Sequence, residues 1–416
     1  MKRLFFYSLV LASCAFVGYS ILSLWRGVHL FQTNPSEEVL FKVLQLTPWN
    51  PGPFYRLGLL HQMDIRHIDL KKSFRYLHQA IERNPLEQNY WIHLAKVFQR
   101  MGEQKALEQA LENTLRVFPT GYQGRWVTGT VLLQQGALEK AIPHFSYLLA
   151  HYPDQSSEIY DVWLKVINDT DFILERLVPK EPAPLKQYLF YLYGAGDIES
   201  AKKVWQKRVS LGYNSDRSET LRHIDFLISH GEPNEAFEMW KARLQEEGLP
   251  IPSDGNLITN GGFEKEQLLG GGFDWKIENV PGTKISFDQS VAFEGKRSLK
   301  IVFNGKENLD FRHVYQFVAW KPNTDYLLRA HMKTKAVTTK SGLKIEVSGV
   351  GPALYGASES LIGDNEWKEL NIAFRTPAQS NAGLVRVRRE KTDKFDRFIS
   401  GTVWIDNAQL IEKLGN

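Results

Sequence analysis

Pro85, Pro119 and Pro153 stand 34 residues apart, and each closes a stretch that reads as two helices. A fixed period of that length marks a repeat array, in which no unit buries its own apolar face and each stacks on its neighbours. The prolines stop the second helix of one hairpin and open the next hairpin. Small residues fall where the helices of a hairpin must approach, at Gly58, Ala95, Gly129 and Ala141, and Phe98 and Phe145 fall where the groove between hairpins must be filled.

The residue order resembles the tetratricopeptide family. Phe54, Leu57, Gly58, His61, Ser73, Leu77, Ala80 and Pro85 follow its pattern with an insertion of about three residues between the helices. Trp91, Leu94, Ala95, Phe98, Leu111 and Pro119 follow it without one, and Gly129, Leu132, Ala141, Phe145, Leu148 and Pro153 form a third unit, with Arg125 where a large apolar residue is usual. Ala201 with Trp205 and Ala236 with Trp240 look like two degenerate units, after a break or hinge at Glu181-Pro182-Ala183-Pro184. Glu37 to Leu46 reads as a second helix whose first helix falls on the end of the apolar segment before it. The resemblance implies a groove that takes a peptide or helix of a protein partner. His61, His93 and His144 read as packing or surface residues of these helices rather than as bases.

That apolar segment runs from Leu4 to Trp25 without a charge, behind Lys2 and Arg3. About 20 apolar residues span a hydrocarbon core, longer than the roughly 7 to 15 of a cleaved signal peptide, so residues 1–30 read as a retained signal anchor. The basic pair places the N-terminus in the cytoplasm and the bulk of the chain outside, which for a bacterial protein means the inner membrane and the periplasm. Leu11-Ala12-Ser13-Cys14 offers a second reading, a lipobox with lipidation at Cys14, although the residues after it stay apolar instead of forming a polar tether. Cys14 is the only cysteine, so no internal disulfide forms.

The helical period vanishes after residue 248. Residues 34–248 read as the repeat domain, 249–255 as a linker and 256–416 as an all-β domain, with alternating or β-branched runs at 299–303, 313–320, 326–334, 343–350, 370–374, 383–390 and 402–411. Seven or eight short strands in about 160 residues make a β-sandwich. The segments Asn256-Leu257-Ile258-Thr259-Asn260-Gly261-Gly262-Phe263-Glu264, Phe293-Glu294-Gly295-Lys296-Arg297-Ser298-Leu299-Lys300 and Trp404-Ile405-Asp406-Asn407-Ala408-Gln409-Leu410 occur in this order in galactose-binding-like jelly rolls, and the domain resembles the carbohydrate-binding modules of bacterial glycosidases. The fold class expected is therefore multidomain: a transmembrane helix, an α-solenoid of tetratricopeptide-like hairpins and a C-terminal jelly roll.

The jelly-roll resemblance implies a structural calcium where the first and last strands meet. The matching positions are Glu264 and Asp406, with carbonyls near Glu294 and Gly295; the alternative is that both carboxylates cap turns. A sugar site needs aromatic faces and fixed polar groups, for which Trp275, Tyr315, Trp320, Tyr355, Arg386 and Arg388 are the candidates. Trp275 in a Gly-rich loop and Trp320 at a strand end are placed to face solvent, whereas Trp367 and Trp404 read as core. Arg386 and Arg388 share a strand face, with Arg389 opposite; they suit an acidic polysaccharide or a solvated edge.

Lys and Arg number 51 against 47 Asp and Glu, which is no nucleic-acid footprint. No phosphate loop, zinc-protease helix or paired-cysteine motif occurs, and no segment is left over for a glycosidase scaffold. The chain reads as a non-enzymatic scaffold of cell-envelope or exopolysaccharide biogenesis, with repeats on a protein, jelly roll on a glycan and the N-terminal helix in the membrane. The alternatives are a purely protein-binding scaffold and an accessory subunit of a glycosidase or glycosyltransferase.

Overall fold

The computed structural model describes residues 2–32, 36–252, 255–351 and 353–413, with side chains from Val10 onward. The side chains of Lys2 and Arg3, and Ser253 and Asp254 of the expected linker, lie outside the described residues. The chain forms two compact units, one of Met1–Gly194 with Ser200–Arg208, the other of Ala195–Glu199 with Val209–Asn416.

The first unit opens with α1 (Lys2–Gln32). Its stretch Val10–Gln32 is long and apolar enough to cross a membrane or to act as a signal sequence, and Leu11, Phe16 and Tyr19 point outward. Its last turns pair with α2 (Glu37–Leu46): a Cβ on Gly27 would stand 2.9 Å from a methyl carbon of Thr47, so the end of the apolar helix serves as the first helix of a hairpin. Regular hairpins follow as α3 (Pro51–Met63) with α4 (Leu70–Arg83), α5 (Gln88–Met101) with α6 (Gln104–Val117), and α7 (Tyr122–Gln134) with α8 (Leu138–His151). The small residues sit where the period puts them. A Cβ on Gly129 would fall 2.6 Å from the Phe145 ring, closer than any side chain tolerates.

Arg125 stands where a large apolar residue is usual and makes contacts of its own. It occupies the place that Trp91 holds one period earlier, and both side chains donate to the carbonyl of the preceding proline, Trp91 Nε1 to Pro85 at 2.9 Å and Arg125 Nε to Pro119 at 2.8 Å. The Arg125 guanidinium also lies 3.6 Å from the centre of the Tyr147 ring, so a flat cation replaces a flat aromatic.

After α9 (Ser156–Ile167) the chain makes a short turn, α10 (Thr170–Phe172), continued by a π-helical turn Ile173–Leu177. The prolines expected to break the array instead open α11 (Pro182–Ala195), because proline suits a first turn that needs no amide donor. The helices close with α12 (Ile198–Ser210), α13 (Arg217–Ser229) and α14 (Pro233–Glu246).

In the second unit two antiparallel five-stranded sheets pack face to face. One runs β1 (Lys276–Ile277), β4 (Phe311–Ala319), β9 (Ala382–Arg389), β6 (Lys344–Gly349), β7 (Tyr355–Ala357); the other runs β2 (Thr283–Asp288), β3 (Ser298–Asn304), β10 (Ser400–Glu412), β5 (Asp325–Val337), β8 (Gly363–Arg375). All seven expected runs are strands; β1, β2 and β7 are additional. The core lies between the sheets, from Leu299 and Ile301 across to Val318, Ile345 and Val387. The β-structure opens at Asn256, bridged to Ile411, yet the compact unit containing it already includes Ala195–Glu199 and everything from Val209 on. The hairpin α13–α14 belongs to it: Ile224, Leu227, Phe237 and Trp240 share one apolar cluster with Leu268, Leu269, Phe273 and Ala319. The glycine-rich loop makes this possible, since Gly272 at φ +52° leaves no room for a Cβ, which would stand 2.9 Å from the Trp240 ring.

Candidate functional site

Residues directly opposite each other on neighbouring strands share a face of the sheet. Tyr315 lies opposite Arg386, Arg386 opposite Glu346, Arg388 opposite Lys344, and Ser348 opposite Tyr355. Val314, Val318, Val385, Val387, Ile345 and Val347 fill the core from the other side, so this set occupies the outer face of the β1-β4-β9-β6-β7 sheet. Four of the six sugar-site candidates, Tyr315, Tyr355, Arg386 and Arg388, therefore come together.

Glu346 organises them, and the sequence reading missed it. It lies between two core residues, Ile345 and Val347, and its side chain is only 5% exposed. Arg386 Nε stands 3.0 Å from Glu346 Oε1, and Arg388 Nε 3.4 Å from Oε2. Arg386 also donates to the Ser348 hydroxyl, and Arg388 pairs with Asp310 and donates to the Arg389 carbonyl at 2.9 Å. At the rim Lys344 pairs with Glu390 at 3.2 Å beside Tyr355, whose ring is 60% exposed. Three cations, Arg386, Arg388 and Lys344, thus face three carboxylates, Glu346, Asp310 and Glu390. The arginines are ion-paired rather than a solvated edge: with Glu346 and Asp310 they form a pre-ordered array of opposed charges beside two aromatic rings. Arg389, on the opposite face, is fully buried and donates to the carbonyls of Ser341, Leu309 and Arg397.

Trp275 and Trp320 do not belong to this face, and their expected role in stacking on a sugar is corrected. Trp320 is 1% exposed; it continues the alternation of Val314, Gln316 and Val318 into the core, and its Nε1 donates to Ser380 Oγ at 3.0 Å. Gly383 makes way for it, since a Cβ there would lie 1.9 Å from its ring. Trp275 is 7% exposed and packs 5.0 Å from the Phe263 ring, drawn inward because the Asp274 carboxylate accepts the amides of Leu268, Leu269 and Gly270 and cinches the loop. Trp404 is buried, but on the outer face of the second sheet, where its Nε1 donates to Asp288 at 2.9 Å and Lys300 covers its ring. Trp367 is half-buried, edge-on to Phe293.

Glu264 and Asp406 share a cradle of bare backbone: a Cβ on Gly262 would lie 3.7 Å from Asp406 Oδ1 and 3.8 Å from Glu264 Cγ. Asp406 is fully buried. Its Oδ2 accepts the amides of Phe293 (2.8 Å) and Glu294 (3.2 Å), its Oδ1 that of Asn407 (2.7 Å), while Glu264 Oε1 accepts the amide of Lys296 at 2.8 Å. Burial pushes the Asp406 carboxyl above the usual carboxylate range; the amides pull against this and the Glu264 charge adds to it. Among the described residues no third acidic, histidine or cysteine side chain joins them. The set fits a hard cation in one respect, a buried carboxylate with a second one beside it, each oxygen keeping lone pairs beyond its amide bonds.

In the first unit a groove of about 660 Å³ runs along the first helices of successive hairpins, between Gln62, His93, Lys96, Arg100, Tyr122, Trp126, Thr130 and Glu158. Gln62 donates to the His93 carbonyl at 2.9 Å and faces His93 Nδ1 at 2.7 Å, and Gln99 donates to Gln134 at 2.7 Å. The buried hydroxyls of Tyr122 and Thr130 have no hydrogen-bond partner among the described residues. Burial, helped by Lys96, pushes His93 down to about 4. Its folded value lies below its unfolded one, so its contribution is whole above about 6.5 and is lost as pH falls towards about 4. The melting temperature is expected to fall as pH drops through that window, and His93→Gln to flatten the dependence; an unchanged slope in the variant would assign the effect to other groups.

No protein-family model matches the chain. The tRNA(Glu)-specific nuclease WapA of Bacillus subtilis subsp. natto (strain BEST195) is 26% identical over 164 residues, 37% of this chain and 7% of its own length, and the tRNA nuclease WapA of Bacillus subtilis (strain 168) is 24% identical over the same shares. The chain spans less than a tenth of the length of these curated relatives. Among solved structures, a Family 16 Carbohydrate Binding Module-2 is similar over 38% of this chain and 100% of its own (23% identity, TM-score 0.27), and YrrB, a TPR protein with an unusual peptide-binding site, over 51% and 94% (13%, 0.25). At these TM-scores the fold rests on the strand order and the hairpin period described above.

Proposed function

We propose that this chain is a non-enzymatic scaffold that holds a neutral glycan on the outer face of the β1-β4-β9-β6-β7 sheet and a segment of a partner protein in the groove of the first unit. The observation that carries the glycan reading is the Arg386–Glu346–Arg388 array beside Tyr315 and Tyr355: fixed donors and acceptors of balanced charge next to an exposed ring are what sugar hydroxyls and a pyranose face require. The N-terminal helix would anchor the chain in a bacterial inner membrane with both units outside, in the service of cell-envelope or exopolysaccharide biogenesis. The tRNA nuclease activity in the relatives' names is not carried over, because the shared part is 7% of those proteins.

The test is retention on immobilised polysaccharides and a glycan array, with the full chain in detergent as the probe. Tyr355→Ala is expected to weaken retention at least tenfold without changing the melting temperature, since the ring packs against solvent. A folded protein that ignores every glycan would leave a protein-binding scaffold.

We further propose that Glu264 and Asp406 hold a structural calcium. Saturating calcium is then expected to raise the melting temperature, a chelator to reverse the gain, and Asp406→Asn to abolish it. A melting temperature indifferent to calcium would leave both carboxylates as acceptors for the 293–296 loop alone.

A further inference from the structure

We infer that the sheet face receives the end of a glycan chain rather than a stretch within one. The inference rests on the glycan reading above and adds to it which part of the polymer is bound.

The face is walled on one side by the chain's own helices. Ala319 and Ala382, opposite each other on β4 and β9, point outward like Tyr315 and Arg386, yet each is only 3% exposed. Ala319 belongs to the apolar cluster of Phe237, Trp240 and Phe273, and Phe317, one outward position further along β4, packs against it with its ring 5.7 Å from that of Phe273. The wall is pinned at its tip, where Asn381 Nδ2 donates to the Gly231 carbonyl at 2.9 Å, in the turn between α13 and α14. Phe317, Leu384, Ser348 and Tyr355 form one cross-strand row, half-buried as far as Ser348 and open at Tyr355.

A polymer laid across an open face continues past both edges, and its affinity grows with every unit that makes contact. A face bounded by packed helix on one side admits a chain only as far as the wall, so the bound residues are the last ones. Withdrawing the wall would expose Phe273 and Trp240, which ties it in place. The Arg386–Glu346–Arg388 array lies on the open side, where the polar groups of the terminal unit would meet it.

The experiment uses the full chain in detergent with xylan and mixed-linkage β-glucan, each intact and after partial endo-hydrolysis, and with their oligosaccharides of two to six units. End recognition predicts that binding capacity per mass of polymer rises in proportion to the chain ends released, and that trimer and hexamer bind within about twofold of each other. Capacity that stays constant on hydrolysis, with affinity climbing at each added unit, would overturn the inference and leave the glycan reading standing. Retention of no glycan at all, here and on the array above, would overturn both.

Discussion

A fragment beginning at Asn256, where the β-structure starts, is expected to be poorly soluble and to melt well below one beginning at Val209. The shorter fragment strips α13 and α14 from an apolar cluster that contains Leu268, Leu269 and Phe273 of the loop before β1, together with Ala319 of β4. Re-exposing the three large side chains alone costs about 4.5–9 kcal/mol at roughly 1.5–3 kcal/mol each. A whole domain is stable by only about 5–15 kcal/mol, so the loss is of the same order as the stability itself. Soluble yield and thermal unfolding of the two fragments give the answer, and Trp240→Ala in the longer one, expected to cost about 3–5 kcal/mol, checks it with a single side chain. Equal melting temperatures for the two fragments would mean that the hairpin merely rests on the sandwich.

The sequence carried the hairpin itself but not its allegiance. Ala236 and Trp240 repeat the spacing of Ala201 and Trp205, and such a pattern says that a small and a large residue face a neighbour without saying which neighbour. Here that neighbour is the glycine-rich loop, and the sign of it was three glycines before an aspartate whose carboxylate would need amides. Trp320 was legible too. Counting by twos from Val314 through Gln316 and Val318 puts it in the core and puts Tyr315 outside, a stronger argument than its place at a strand end. Trp275 offered no such alternation, and β1 and β7, two and three residues long, are too short to show any. Glu346 was hidden for another reason. A lone carboxylate between Ile345 and Val347 gains its meaning only from the register that lays it opposite Arg386, and register between strands about 40 residues apart is a tertiary property.

Glu346→Gln is expected to lower both stability and glycan affinity, and a second substitution separates the two effects. The carboxylate is 5% exposed and the arginines 17% and 15%, so the carboxylate is buried beneath guanidiniums that keep an edge in solvent. Removing one partner from such an array costs about 3–5 kcal/mol, because the opposite charges stay buried without their counter-ion. Arg388 keeps Asp310, so Arg386, left with the Ser348 hydroxyl, bears more of the loss. Replacing a buried ion pair by apolar residues of similar volume is often neutral, which makes Glu346→Leu with Arg386→Met the decisive variant. Its melting temperature is expected to return close to that of the parent. Its glycan retention is expected to stay lost, since apolar groups satisfy the core but offer nothing to sugar hydroxyls. If the double variant regained retention with stability, the array would be a packing device that happens to face solvent, and recognition would have to lie with Tyr315 and Tyr355 alone.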